Sequence, residues 1–122
     1  MKEKKSWADA SKHCNSLNGE LVSIASEIQN EDLEMIVRSK NLEQAWIGYS
    51  DAANEGDWKW SSPNKLGLSK KYENWNKNEP NSVEGKDCAT IVKGTGKWNN
   101  HPCTEQLPFI CEISESLFIF YL

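Results

Sequence analysis

Apolar positions recur at helical spacing early in the chain and switch to strand spacing after it. Trp7, Ala10, Cys14 and Leu17 share one helical face, and Ser6 stands ahead of them as an N-cap. Asp9, three residues on, completes a capping-box pattern. Asn18-Gly19 stops this helix. Leu21-Val22-Ser23-Ile24 reads as a short strand or extended link. Ser26 and Gln29 give a second capping box, Leu33, Ile36 and Val37 form the apolar stripe, and Ser39-Lys40-Asn41 ends the helix.

From Ala45 the β-branched and aromatic run Ala45-Trp46-Ile47-Gly48-Tyr49 predicts a buried strand. Asp51 to Asp57 is turn-like, and Trp58 and Trp60 alternate around Lys59 as a further strand. Ser61 to Asn81 shows neither period, and a loop of that length in a compact domain is usually functional. Cys88 to Val92, Lys97-Trp98 and Phe109 to Ile113 predict three more strands. Two helices followed by strands make one α+β domain.

Composition narrows the function. The chain has 122 residues and a formal net charge of −4, which is not the basic footprint of a nucleic-acid binder. Six tryptophans enlarge a limited core and supply rings that can line a ligand surface. The four cysteines, Cys14, Cys88, Cys103 and Cys111, form no C-x-x-C pair, so zinc ribbons and thioredoxin-like sites are not expected. Two disulfides in an oxidising compartment fit better, with three pairings open. The protein therefore reads as extracellular or secreted. Met1 to Lys5 is charged and no apolar stretch follows, so the leader is expected to have been removed or to lie outside this chain. No run approaches a membrane span. No phosphate loop or nucleophile triad stands out, and an enzyme is not expected.

In order along the chain come Trp7-Ala8-Asp9-Ala10 before Cys14, Leu21-Val22-Ser23-Ile24, Trp46-Ile47-Gly48 and Trp58-Lys59-Trp60. Glu79-Pro80-Asn81, Asp87-Cys88, Trp98-Asn99 and Phe109-Ile110-Cys111-Glu112 complete the set. This order resembles the C-type lectin-like domain family over residues 6–113. The resemblance implies two helices flanking small antiparallel sheets, a long ligand-binding loop, and bridges Cys14–Cys111 and Cys88–Cys103. The family's first strand normally precedes the first helix, where only five residues stand here. An apolar tail, residues 114–122, is added at the other end. It is expected to turn at Ser114-Glu115-Ser116 and pair antiparallel to the last strand, in the slot of the missing first strand.

The resemblance also implies a Ca2+ cofactor and a glycan or glycoprotein partner. Calcium takes six to eight oxygens, several of them anionic. In calcium-using relatives one ion is held by Glu-Pro-Asn with a cis proline, a carboxylate before Asp-Cys, and Asn-Asp after a Trp. Sugar hydroxyls bind that ion, and Glu-Pro-Asn order goes with mannose- or glucose-type sugars. Glu79, Asn81 and Asn99 match. Asn100 replaces the Asp, and Lys86 stands at the carboxylate position. The segment before Asp87 is one residue short, and Glu84 within it offers a substitute. A second ion position is matched by Asp51, Glu55 and Asp87, with Ser82 replacing a further Asp. Trp98 is expected in the core, Trp75 as structure with a face open to a sugar, His13 as exposed and His101 beside the site. The rival reading is a calcium-independent domain for a protein ligand, with Lys86 filling the metal hole and pairing with Glu79.

Overall fold

The structure is a computed structural model. It describes residues 4–61, 72–80 and 85–113, and the backbone of 117–121. Two helices, α1 (Trp7–Ser16) and α2 (Glu27–Ser39), accompany strands β1 (Gly19–Leu21), β2 (Gln44–Ser50), β3 (Lys59–Trp60), β4 (Cys88–Val92), β5 (Trp98–His101), β6 (Phe109–Ile113) and β7 (Leu117–Tyr121).

Both helices start where side chains can take up orphan amides. The Ser6 hydroxyl accepts from the Asp9 N–H at 3.3 Å, and Ser26 accepts from the Gln29 N–H at 3.2 Å. Gln29 reaches one residue further back than a capping box requires, to the Ala25 N–H at 2.7 Å. Asn18 and Asn41 follow the helices with positive φ, 66° and 56°, a conformation asparagine tolerates better than most residues. Ala10 and Cys14 are the buried face of α1, and Leu33 and Val37 that of α2. His13, expected in solvent, is half-buried with its ring edge-on to Phe109 at 5.4 Å.

The strands form one mixed sheet in the order β1-β6-β2-β4-β5, with β3 on β2 and β7 on β6. The pairings are antiparallel as expected, except for one parallel contact that joins them into a single sheet. The joining contact is the parallel pair Trp46↔Phe109. It arises because β2 reaches β6 through a long crossover, which returns the chain in the same direction. β1 then continues along β6 antiparallel, from Leu21↔Cys111 to Gly19↔Ile113. β1 begins two residues earlier than the hydrophobic run, and Val22 to Ile24 follow it as buried chain outside any strand. β5 corrects a second expectation. It runs to His101 although Asn-Asn-His has poor strand propensity, because pairing from Ile91↔Trp98 to Cys88↔His101 overrides propensity.

The core has two connected parts. Ile24, Leu33, Val37, Ile47, Tyr49, Ile91, Trp98 and Ile110 fill the side under α2. Ala10, Leu21, Trp46 and Phe109 pack around Cys14 and Cys111. The cysteines pair as Cys14–Cys111 and Cys88–Cys103. The first closes a separation of 97 residues and fixes α1 to β6, and the second ties β4 to the segment after β5. Each such bridge contributes roughly 2–4 kcal/mol. The chain ahead of α1 is also held. Lys5 and Leu107 exchange backbone bonds at 3.0 Å, and the Trp46 indole donates to the Lys5 carbonyl at 2.9 Å.

This packing has two measurable consequences. Gly48 lies where Val22 and Ser61 both reach β2. A Cβ there would stand 2.8 Å from the Leu21 carbonyl oxygen and 2.5 Å from the Ser61 hydroxyl. Gly48→Ala is expected to destabilise the fold by about 1–3 kcal/mol, read as a lower denaturation midpoint with an unchanged slope. β7 covers the edge of β6 from Phe109↔Tyr121 to Ile113↔Leu117. Ser114 to Ser116 and Leu122 lie outside the described residues. Removing residues 117–121 uncovers a strand edge and should lower the melting temperature. An unchanged melting temperature would show that this pairing carries no stability.

Candidate ligand and cation site

The long loop returns over an aromatic floor. Tyr49 stacks on Trp60 with ring centroids 4.2 Å apart and meets the edge of Trp98 at 5.5 Å. Trp75 leans on Trp58 at 4.8 Å and on Trp98 at 5.8 Å, edge to face. Such pairs add about 0.5–1.5 kcal/mol each beyond burial. Trp98 is fully buried, and Trp75 is half-buried in the same cluster. The Tyr49 hydroxyl donates to the Glu73 carboxylate, which anchors the returning loop. Burial first, then the Glu73 bond and the Glu73 and Asp57 charges, push this phenol far above its ordinary range, so it remains a donor.

The returning segment is hung from β5. The Trp98 N–H donates to the Asn74 carbonyl at 2.9 Å, and the Asn76 N–H donates to the Trp98 carbonyl at 2.8 Å. The Asn76 side-chain amide then donates to Asn99 Oδ1 at 3.0 Å. The Glu79 N–H closes a turn onto the Asn76 carbonyl at 2.9 Å, with Asn78 at φ 67°. The Glu79–Pro80 peptide is cis. Backbone and amide bonds thus bring Glu79 and Asn99 onto one platform through Asn76. Asn81, Ser82 and Glu84 lie outside the described residues.

Asn100 takes a different position. It is 3% exposed, and its Nδ2 donates to the Lys86 carbonyl at 2.8 Å. That bond braces the strand entry at Asp87-Cys88, a task an aspartate could not perform with an ionised carboxylate. His101, at the end of β5, pairs through Nδ1 with Glu105 at 3.1 Å. Among the described residues of this half of the site, Glu79 is the one carboxylate that the sequence marks as a ligand, and both amides carry hydrogen bonds already.

Anionic charge collects instead on Asp51, Glu55 and Asp87, which offer ligand atoms within 4.8 Å of one another. The backbone dictates this meeting. The Asp51 N–H and the Ser50 hydroxyl both donate to the Asp87 carbonyl, at 3.0 and 2.8 Å. The Gly56 N–H donates to Asp51 Oδ2 at 2.7 Å and folds the loop so that Glu55 faces the pair. Asp51 is 2% exposed, and its Oδ1, like Asp87 Oδ1, is buried with no hydrogen-bond partner. Burial, then a side-chain hydrogen bond with Asp87 and the Asp87 charge, raise the Asp51 carboxyl above its ordinary value, against the bonds from Gly56 and Glu55. Desolvation, then hydrogen bonding with Asp87 and Asp51 and their charges, raise Glu55 likewise. Buried carboxylate oxygens without donors fit a hard divalent cation, which supplies the missing partner and cancels the repulsion.

The residue that the sequence does not mark is Asn76, which bridges the loop to Asn99. Its alternation with Asn74 around Trp75 is the period of an extended segment, and that is the signal available in advance.

Residues 3–113 match the family described as the Lectin C-type domain. A Perlucin-like protein of Mytilus galloprovincialis is 34% identical over 111 residues, 88% of this chain and 69% of that protein. Against longer relatives the chain spans as little as 32% and 7% of their length. Among solved structures, the cow CD23 C-type carbohydrate-recognition domain, determined in the presence of a GlcNAc2Man3 oligosaccharide, has a TM-score of 0.76. It is 32% identical, with 91% of this chain and 81% of that chain covered. A calcium-independent type II antifreeze protein has a TM-score of 0.77 at 25% identity, with 91% and 80% covered. Lectin neighbours of this kind are binding proteins and not enzymes, and the chain belongs to the C-type lectin domain family.

Proposed function

We propose that this domain binds a glycan or glycoprotein of mannose or glucose type through the loop platform. A Ca2+ ion held by Asp51, Glu55 and Asp87 would lock the platform in place. The observation that carries the cation assignment is the pair of buried, partnerless oxygens Asp51 Oδ1 and Asp87 Oδ1 inside a cluster of like charge. When bound, calcium would supply positive charge and ligand-accepting coordination positions. The chain's own residues orient the carboxylates, the Gly56 N–H holding Asp51 and the Ser50 hydroxyl and Asp51 N–H holding the Asp87 backbone. Glu79, Asn81 and Asn99 would offer the hydroxyl-binding acceptors and donors beside it. Support for the sugar class comes from the Glu79-Pro80-Asn81 order and from the GlcNAc2Man3 oligosaccharide present with the cow CD23 domain.

At Glu79, Asn81, Asn99 and Asn100 the fit to a second ion is poorer. The Asn100 amide is spent on the Lys86 backbone, and Lys86 adds a positive charge next to Asp87. This favours sugar binding by direct hydrogen bonds at that half of the site. It also supports a second reading, a calcium-independent domain for a protein ligand. The antifreeze neighbour is calcium-independent at a comparable TM-score. In either reading the binding unit is residues 6–113, and the tail 114–122 contributes β7 (Leu117–Tyr121) in place of the family's first strand. We place the domain outside the cell, as its two disulfides favour. Among the described residues no helix is long and apolar enough to cross a membrane.

The experiment is a calcium titration followed by thermal unfolding. A ligand at a hundred times its dissociation constant adds about 2.7 kcal/mol, so millimolar Ca2+ should raise the melting temperature by about 5 °C or more. No shift at millimolar Ca2+ would remove the metal and leave direct sugar binding and the protein-ligand reading, which the glycan array separates. Glu55→Gln, on an exposed side chain, should weaken the calcium response about tenfold and leave the calcium-free fold intact. Lys86→Glu should strengthen it. A glycan array with and without chelator then reads mannose- and glucose-type binding directly.

The raised carboxyls fix the sign of the pH dependence. In the calcium-free protein Asp51 and Glu55 hold protons more tightly folded than unfolded. Between their ordinary range and their raised folded values, stability therefore falls as pH rises. Calcium reverses this by competing with the protons. Its stabilising increment should be large at neutral pH and shrink as pH falls through the raised carboxyl range, measured as melting curves in calcium against chelator.

A further inference from the structure

Behind the platform lies a side chain of α2 that the ligand reading does not use. Asn30 is 3% exposed, and both ends of its amide are bonded. Oδ1 accepts from the Trp98 indole N–H at 2.8 Å, and Nδ2 donates to the Gly96 carbonyl at 2.9 Å. The same Gly96 carbonyl accepts from the Asn74 amide at 2.8 Å. One oxygen thus joins α2, the β4–β5 turn and the returning loop. The close approach depends on glycine, since Gly96 has φ +71° and a Cβ there would stand 2.9 Å from Asn30 Nδ2. One turn along α2, the Glu34 carboxylate accepts from the Gly94 N–H at 2.8 Å, so the helix grips the turn at two points.

We propose that Asn30 is a positioning residue for the ligand platform, fixing the Trp98 ring and the Gly96 carbonyl from which the Asn74–Glu79 segment hangs. This rests on the reading of that platform as the ligand surface. The connection is bonded throughout. Asn30 holds Trp98, Trp98 exchanges backbone bonds with Asn74 and Asn76, Asn76 holds Asn99, and the Glu79 N–H closes on Asn76. A leucine fills much the same space. It would leave the buried indole N–H without its acceptor and the Gly96 carbonyl with one donor fewer, the costly way to lose a hydrogen bond. Leu33 and Val37, on the same helix, pack into the core as ordinary apolar side chains.

The test compares Asn30→Leu with Val37→Ala, a buried change on α2 outside the connection, by hydrogen exchange at the Asn76, Glu79 and Trp98 amides. Once each variant is corrected for its global stability, Asn30→Leu should speed exchange at these amides about tenfold, and Val37→Ala should leave them unchanged. Equal behaviour of the two variants overturns the proposal. Binding of a mannose oligosaccharide should weaken about tenfold in Asn30→Leu, with calcium affinity by calorimetry preserved. Preserved sugar affinity in a variant with loosened amides also overturns it. If the unmodified protein binds neither probe, the ligand reading fails, and the exchange comparison still decides whether Asn30 sets the platform. Should Asn30→Leu not fold, Asn74→Ala removes the loop's share of the Gly96 contact without opening the core. Faster exchange at Asn76 and Glu79 then supports the proposal, and unchanged exchange overturns it.

Discussion

Trp98 is buried where three distant parts of the chain meet. Its ring lies among Tyr49, Trp60, Tyr72 and Trp75, and its indole N–H is taken by Asn30 of α2. Its backbone pairs with Ile91 on one side and with the loop at Asn74 and Asn76 on the other. A segment of mostly polar residues has little hydrophobic reason to lie on the sheet. It lies there because Trp75 inserts into the aromatic floor and because Trp98 supplies a backbone edge. The platform around Glu79 and Asn99 inherits its geometry from that single buried residue.

Charge is arranged unevenly over the platform. Asp51, Glu55 and Asp87 bring like charge together around the buried Asp51 carboxylate, at a cost to the fold. Asn100, in β5, and Lys86 instead place a buried amide and a cation next to the Asp87 backbone. The acidic side is thus kept at some expense in stability. On the other side, Asn100 makes a neutral bond that steadies the backbone leading into Asp87.

The staples act at the two ends of the same sheet. Cys14–Cys111 fixes α1 against β6 beside the Trp46 and Phe109 rings. Cys88–Cys103 bridges from the first residue of β4 to the segment that follows β5. Asp87 precedes Cys88 and Asn100 pairs next to it, so the second bridge holds the backbone from which both halves of the site project.

The sequence by itself determined the helices, their caps and most strands, because hydrophobic period and N-cap chemistry act within a few residues. Asp51, Glu55, Asp87, Glu79 and Asn99 were marked by the resemblance of its ordered motifs to the C-type lectin-like family. Other features needed the tertiary structure. Asn99, Asn100 and His101 carry no strand signal and become β5 through pairing with β4. The mixed sheet depends on a crossover between β2 and β6, which no local pattern encodes. Asn30 and Asn76 looked like ordinary polar residues of a helix and a loop. Their roles come from partners 68 and 23 residues away, and a hydrogen bond across that distance exists only once the chain has folded.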